Sequence, residues 1–255
     1  MTQPMSEVLI ERMSWTQVRD AIAGGKRTVI VPVAAMEQHG PHMATGTDTF
    51  LGYETSRRLA LALGDALVSP AISIGYSVGH LPMPGTVTIS EETLITVLKE
   101  VVASLVHHGF TDVVLLVSHG GNYGAIRAAV PDLRERHPGV RIHAQMSFDD
   151  AIAGRDELYA ELGVDAARMG VHAAQGETSM MLACHPDLVD MDEAVEGFMG
   201  DASIRWRLAV PPPMDEMSPT GILGDARNST AEIGERLFDH QVRTWVEAIR
   251  SGRWA

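Results

Sequence analysis

Apolar positions along the chain fall into two patterns. Residues 27–35 and 113–117 are almost continuously apolar and rich in β-branched side chains, the form of parallel strands covered on both faces. Residues 140–146 read as a further strand, and two shorter apolar runs occupy 66–68 and 71–74. Elsewhere the apolar positions recur at helical spacing. Leu51, Thr55, Leu59 and Ala62 share one face of a helix over 49–63, and Leu94, Leu98, Val101, Leu105 and His108 share one face of a helix over 90–108. A helix over 122–136 with a kink at Pro131, one from Gly176 or Glu177 to Cys184, and a C-terminal helix carrying Leu237, Val242, Trp245 and Ile249 complete the set. Strands alternating with helices predict an α/β fold.

Punctuation agrees with this reading. Ser14 and Gln17 have the spacing of a capping box, Gly24-Gly25 supplies a stop, Ser90 is placed as an N-cap, and Gly64 and Gly109 follow helix ends. Ser229 to Glu232 has capping-box spacing again. Segment 150–170 reads as loosely packed helix and 190–228, with its three prolines at 211–213, mostly as loop. The Gly- and Pro-rich loop 75–86 suits neither helix nor central strand, and together with 150–171 it is expected to form the substrate pocket.

Composition narrows the class. At 255 residues, 45% of them hydrophobic and 21% charged, the chain can bury a sizeable sheet, so one ordered domain over 1–255 is expected. A formal charge of −13 with no clustered Lys or Arg argues against a nucleic-acid partner. Cys184 is the only cysteine, which excludes an intrachain disulfide. The N-terminus lacks the basic start and apolar core of a signal peptide, and no apolar run approaches the roughly 20 residues of a membrane span, so a cytoplasmic address without membrane contact is expected.

Candidate chemistry gathers at the ends of the predicted strands, where open α/β sheets place their sites. Glu37, His39, His42 and Asp48 follow the first strand, His119 follows 113–117, and His172 and Glu177 lie in HAAQGETS. Glu37 and His39 are two apart, which in extended backbone sends both side chains to the same side. A His and carboxylate set without thiolates suits Zn²⁺ or Mn²⁺ in an open hydrolytic centre better than closed structural zinc. Taken singly, each residue has an ordinary alternative: Asp48 as an N-cap, Glu177 as a favourable charge at a helix start, the histidines as hydrogen-bonded turn residues. Their joint placement favours the metal centre. His107, His108, His137, His143, His185 and His240 lack such company and read as structural or surface residues.

In order and spacing, EQHGPH with its downstream TD, then SHGGN, HAAQGETS and GILGDARNSTAEIGERL resemble the creatininase (creatinine amidohydrolase) family, from about residue 10 to the C-terminus. The resemblance implies a three-layer α/β/α sandwich with a mostly parallel central sheet, two divalent ions per chain (Zn and/or Mn), hydrolysis of a C–N bond of a small-molecule amide through a dinuclear metal-bound hydroxide, and a homohexamer. It assigns Glu37, His39, Asp48 and His119 to the metals, with Asp48 bridging. Where creatininase proper has a ligating Glu, in His-Tyr-Glu-Asn, this chain has Gly121, and Glu177 is the candidate to complete the site as ligand and catalytic group. His172 matches a histidine beside the substrate and is the candidate for proton transfer. A Trp-Asp pair of creatininase is replaced by Arg168-Met169, which puts a guanidinium where a cation-tolerant pocket was and argues against creatinine itself. Within the same family stand two alternatives, a formamidopyrimidine deformylase-like activity and a mycofactocin-type cofactor-precursor peptidase. A non-catalytic metal-binding protein of the same fold is the alternative outside enzymology, and His172 argues against it, since a structural metal site needs no acid/base residue.

Overall fold

The computed structural model describes residues 7–202 and 212–255. Residues 1–6 of the N-terminal segment and the first proline of the 211–213 run lie outside them. Four parallel strands, β1 (Thr28–Val33), β2 (Ala66–Val68), β3 (Asp112–Val117) and β4 (Arg141–Ala144), form one sheet in the order β2-β1-β3-β4. Run 71–74 contributes only an isolated bridge, Val33 to Ile72, and the strand expected over 140–146 is shorter at both ends.

Alternation along the strands explains why their sequences are apolar throughout. Val29, Val31 and Val33 of β1 face a cluster with Leu94, Leu98 and Val102 of α3 (Glu91–His107) and Ile126, Val130 and Leu133 of α4 (Tyr123–Arg136), while Ile30 joins Val114 and Leu116 on the opposite face. That second face is covered by Leu59 and Ala60 of α2 (Thr47–Leu63) and by Trp245 and Ala248 of the C-terminal helix, so the molecule is an α/β/α sandwich. Leu98 has no exposed surface; truncating it to Ala should cost about 2–5 kcal/mol.

The helix α1 (Trp15–Ala23) carries the expected capping box: Ser14 N–H donates to Gln17 Oε1 at 2.7 Å, and Gln17 N–H to Ser14 Oγ at 3.3 Å. The second box does not form. Thr230 is the N-cap of the C-terminal helix, its Oγ1 accepting from Ile233 N–H at 3.2 Å, because Ser229 Oγ is engaged in donating to the Ala226 carbonyl at 2.7 Å. Segment 150–170 breaks into α5 (Phe148–Ile152), α6 (Arg155–Leu162) and α7 (Ala166–Met169), separated by Gly154 (φ 75°) and Gly163 (φ 65°) in the left-handed region. Helices α8 (Gln175–Cys184), α9 (Met214–Met217) and α10 (Ala231–Ser251) follow, and α8 packs against α10 over a third apolar cluster that includes Met181, Leu237 and Phe238.

Connections from β1 lead to β2 on one side, whereas β3 lies on the other. The order of the sheet therefore switches between β1 and β3, and side chains beyond the carboxyl ends of these two strands face a common crevice.

Candidate metal centre

Four segments converge on that crevice. The turn after β1 carries Glu37 and His39, the first turn of α2 carries Asp48, and the turn after β3 carries His119. His172 and Glu177 arrive from a segment strapped to the GILGD stretch: Val171 N–H donates to the Leu223 carbonyl at 3.0 Å and Leu223 N–H to the His172 carbonyl at 2.9 Å. Ala173 next to it has φ 52°, the only positive φ among the described non-glycine residues, and its N–H donates to Glu177 Oε2 at 2.6 Å. Backbone strain is thus spent on presenting one carboxylate.

Asp48 is not a cap. The helix begins one residue earlier, with Gly46 at the N-cap position and no side-chain capping bond. Its carboxylate is buried and spans two histidines, Oδ1 lying 3.4 Å from His39 Nε2 and Oδ2 3.4 Å from His119 Nδ1. Glu37 Oε2 is 3.2 Å from His119 Nδ1, and Glu177 Oε2 is 3.8 Å from His39 Nε2. Two donor sets result, Glu37/Asp48/His119 and His39/Asp48/Glu177, sharing Asp48, while a third set joins Glu37, His39 and His172.

Donor chemistry tests whether these residues suit a cation. Glu37 Oε1, His39 Nε2 and Asp48 Oδ2 are buried without a hydrogen-bond partner, an expensive state unless something positive sits between them. Across the donor sets the closest separations, 3.2 Å from Glu37 Oε2 to His119 Nδ1 and 3.4 Å from Asp48 to His39 Nε2 and to His119 Nδ1, match the edge of a tetrahedron with bonds of about 2.0–2.1 Å, about 3.3 Å. Both rings are held in the tautomer that ligation requires. His39 Nδ1–H donates to the Glu37 carbonyl at 3.1 Å, leaving Nε2 as acceptor, and His119 Nε2–H donates to the Tyr76 carbonyl at 3.1 Å, leaving Nδ1. The residues fit one or two divalent ions.

Without a cation, protons have to balance the carboxylates. Burial opposes protonation of His39, but Asp48, with Glu177 and Glu37 behind it, outweighs burial and pushes its pKa up to about 9. Desolvation pushes Glu177 up to about 7 against the pull of His39. Burial likewise works to raise Glu37, yet His119 and His80 hold its carboxyl well below the usual range. His172 moves the other way, kept well below the ordinary imidazole value by burial and by neighbouring His39 and His80.

Gly121 explains the missing ligand in physical terms. A Cβ there would lie 2.4 Å from His119 Nε2 and 2.5 Å from the Tyr76 carbonyl, so any side chain would break the bond that orients His119. Glu177 approaches from the opposite segment, its Oε2 3.8 Å from His39 Nε2. The Arg168 expectation is corrected: its Nη1 is bonded to Asp225 Oδ2 at 2.6 Å, and the side chain does not line the cavity. His42 is near in sequence but belongs to none of the three donor sets; its Nε2 meets Thr178 Oγ1 at 2.8 Å.

Ser77 and Gln38 were not singled out from the sequence, and with His80, read there only as a reserve for proton delivery, they complete the surroundings of Glu37 and His172. His80 is buried with Nδ1 3.7 Å from Glu37 Oε1, Ser77 Oγ donates to Glu37 Oε2, and Gln38 Nε2 lies 3.1 Å from His80 Nδ1 and 2.9 Å from His172 Nε2. A polar pair inside a Gly- and Pro-rich loop that returns to a strand end was the available signal for Ser77 and His80. Gln38 gave none, because in extended backbone it should point away from Glu37 and His39. One cavity of about 950 Å³ opens from this centre, bounded by the 75–86 loop and by residues of α5, α6 and α10, as the loop pattern led us to expect.

Comparison with known proteins agrees with the fold. The creatininase (creatinine amidohydrolase) family model matches residues 11–249. A creatinine amidohydrolase of Pseudomonas putida is 31% identical over 95% of this chain and 96% of its own length. A mycofactocin precursor peptide peptidase of Mycolicibacterium smegmatis is 32% identical over 89% of this chain and 85% of its own. Among solved structures, a manganese form of creatininase superposes with a TM-score of 0.80 at 27% identity, and a Zn-Zn form of a mutant creatininase with 0.78 at 26%, each covering 96% of this chain and 98% of the other. The matches cover nearly the whole chain in sequence and in fold, and the chain belongs to the creatininase family.

Proposed function

We propose that this protein is a metal-dependent hydrolase of a C–N bond in a small-molecule amide, with two divalent ions, Zn and/or Mn, held by Glu37, His39, Asp48, His119 and Glu177. The observation that carries this reading is the pair of donor sets sharing Asp48, with buried oxygen and nitrogen atoms that none of the described residues satisfies. Bound ions would supply Lewis acidity toward the amide carbonyl and activate a water as nucleophile. The chain's own groups do the rest. Glu37, held by the Ser77 hydroxyl, and His119, held by the Tyr76 carbonyl, keep fixed positions; the Asp48 carboxylate divides its oxygens between the two histidines.

His172 is the proton carrier. One face of the ring is pinned, with Nε2 2.9 Å from the Gln38 carbonyl, and the other nitrogen, Nδ1, looks into the site 3.4 Å from Glu37 Oε1. An imidazole there can take a proton from the nucleophile and return it to the departing nitrogen, which leaves poorly until protonated. Creatinine is a poor match, because Arg168 and Met169 stand where creatininase has Trp-Asp, and the aromatic wall for a flat ring is gone.

A second reading, a peptidase or deformylase acting on a linear amide, is favoured by the cavity, whose 950 Å³ far exceeds a small ring. Assaying metal-loaded protein and a chelator-treated control against lactams, formamides and short peptides tests both. Turnover restored by zinc or manganese supports the hydrolase; equal rates with and without metal would discard it.

A further inference from the structure

Beyond the metal centre, the cavity runs past Tyr123 to α6 and α10 and is lined there by Arg155. This arginine differs from its neighbours. Arg168 is paired with Asp225, and Arg127, exposed at the cavity, donates from Nη1 to the Met146 carbonyl at 3.1 Å. Arg155 Nε, by contrast, is buried with no partner, and among the described residues no carboxylate pairs with its guanidinium. A group that is always charged and offers a rigid fork of donors is costly to leave so. Close by, Tyr123 is buried against the same cavity; burial dominates and pushes its phenol up, so it stays a neutral O–H donor.

We propose that Arg155, with Tyr123 beside it, anchors a carboxylate on the substrate, so that the amide bond reaching the metal centre belongs to an acid such as an N-acyl amino acid or a short peptide with a free C-terminus. A planar carboxylate suits the fork of one guanidinium. A carboxylate monoanion also suits the lining better than a phosphate dianion, because Glu91 and Asp149 line the cavity as well and Arg127, its other arginine, is exposed and bonded to the Met146 carbonyl. The proposal rests on the hydrolase reading for the word substrate, but binding itself can be read without turnover.

Zinc-loaded protein is titrated calorimetrically with N-acetyl-alanyl-alanine and with its C-terminal amide. The acid should bind more tightly, and Arg155→Ala should weaken it on the order of ten- to a hundredfold while leaving the amide unchanged. Arg155→Lys should recover part of the loss. Since the Arg155 side chain bonds to none of the described residues, the variants should melt with the wild type. If the probes are turned over, the discrimination is read in KM with kcat within a few-fold. Equal affinity for acid and amide, an equal loss of both in Arg155→Ala, or a tenfold preference for N-acetylethanolamine phosphate overturns the assignment. Arg155-dependent selection of the acid in a protein that hydrolyses nothing would sustain the anchor and sink the hydrolase reading instead.

Discussion

Two clusters of carboxylate and histidine lie at opposite ends of the same sheet, and they are built differently. At the amino end of β3, Asp112 accepts from Arg141 Nε and Nη2, at 2.5 and 2.8 Å, from His143 at 3.1 Å and from Thr111 Oγ1 at 3.2 Å. Both oxygens are satisfied, and only His143 Nδ1 is left without a partner. At the carboxyl ends of β1 and β3, Glu37 Oε1, His39 Nε2 and Asp48 Oδ2 all lack partners although the groups are buried. Both combine carboxylate with histidine, but only the closed cluster also holds an arginine. What differs is whether the protein completes its own hydrogen bonds, and a buried cluster that does not is one shaped for something else.

The largest expected effect breaks the open cluster at its shared member. Asp48→Ala should lose at least one ion and reduce turnover on the order of 10³-fold or more. Full metal occupancy in that variant, by elemental analysis, would remove the bridging role. Because ligands must be deprotonated and His39 without an ion holds its proton up to about 9, metal affinity in the wild type should weaken progressively as pH drops below that value.

Next in size is His172→Ala, which should keep both ions and the fold and lose on the order of 10²- to 10⁴-fold in turnover. Loss of an ion instead would make His172 a ligand, through the Glu37/His39/His172 set.

Glu177→Gln keeps the shape and removes the charge. One ion should weaken by at least about tenfold and the other much less; unchanged metal content and turnover together would return the question of the fifth ligand to Asp149 or a water.

The smallest effect belongs to the closed cluster. Burial would raise Asp112, but hydrogen bonds from His143 and Arg141 outweigh it and bring its pKa to about 2. A depressed folded pKa contributes stability above the unfolded value of about 3.9 and loses it as pH falls through about 2. Asp112→Asn should therefore cost about 1–2 kcal/mol near neutrality, after discounting for solvent around the exposed Arg141, and metal content should not change. In urea titrations the gap from wild type should close between pH 4 and pH 2; a constant gap would show that the loss is steric.

Much of this protein was legible in its order of residues. Continuous apolar runs at 27–35 and 113–117 mark strands covered on both faces, because only an alternating strand can show water one side, and the Ser14 box works through atoms three residues apart. Glu37, His39, Asp48 and His119 were recognisable because strand ends in such sheets collect chemistry. Tertiary structure alone decided the rest, since those contacts join residues far apart in the chain. It turned Arg168 away to Asp225, made Gly121 a necessity of the His119–Tyr76 bond, brought Gln38 across 134 positions to His172, and moved the cap from Ser229 to Thr230 by giving Ser229 another acceptor. Local pattern fixes backbone geometry and burial; which polar atom meets which is settled only when separate segments close around one another, and the unpaired donors of the metal centre and Arg155 exist only in that closed form.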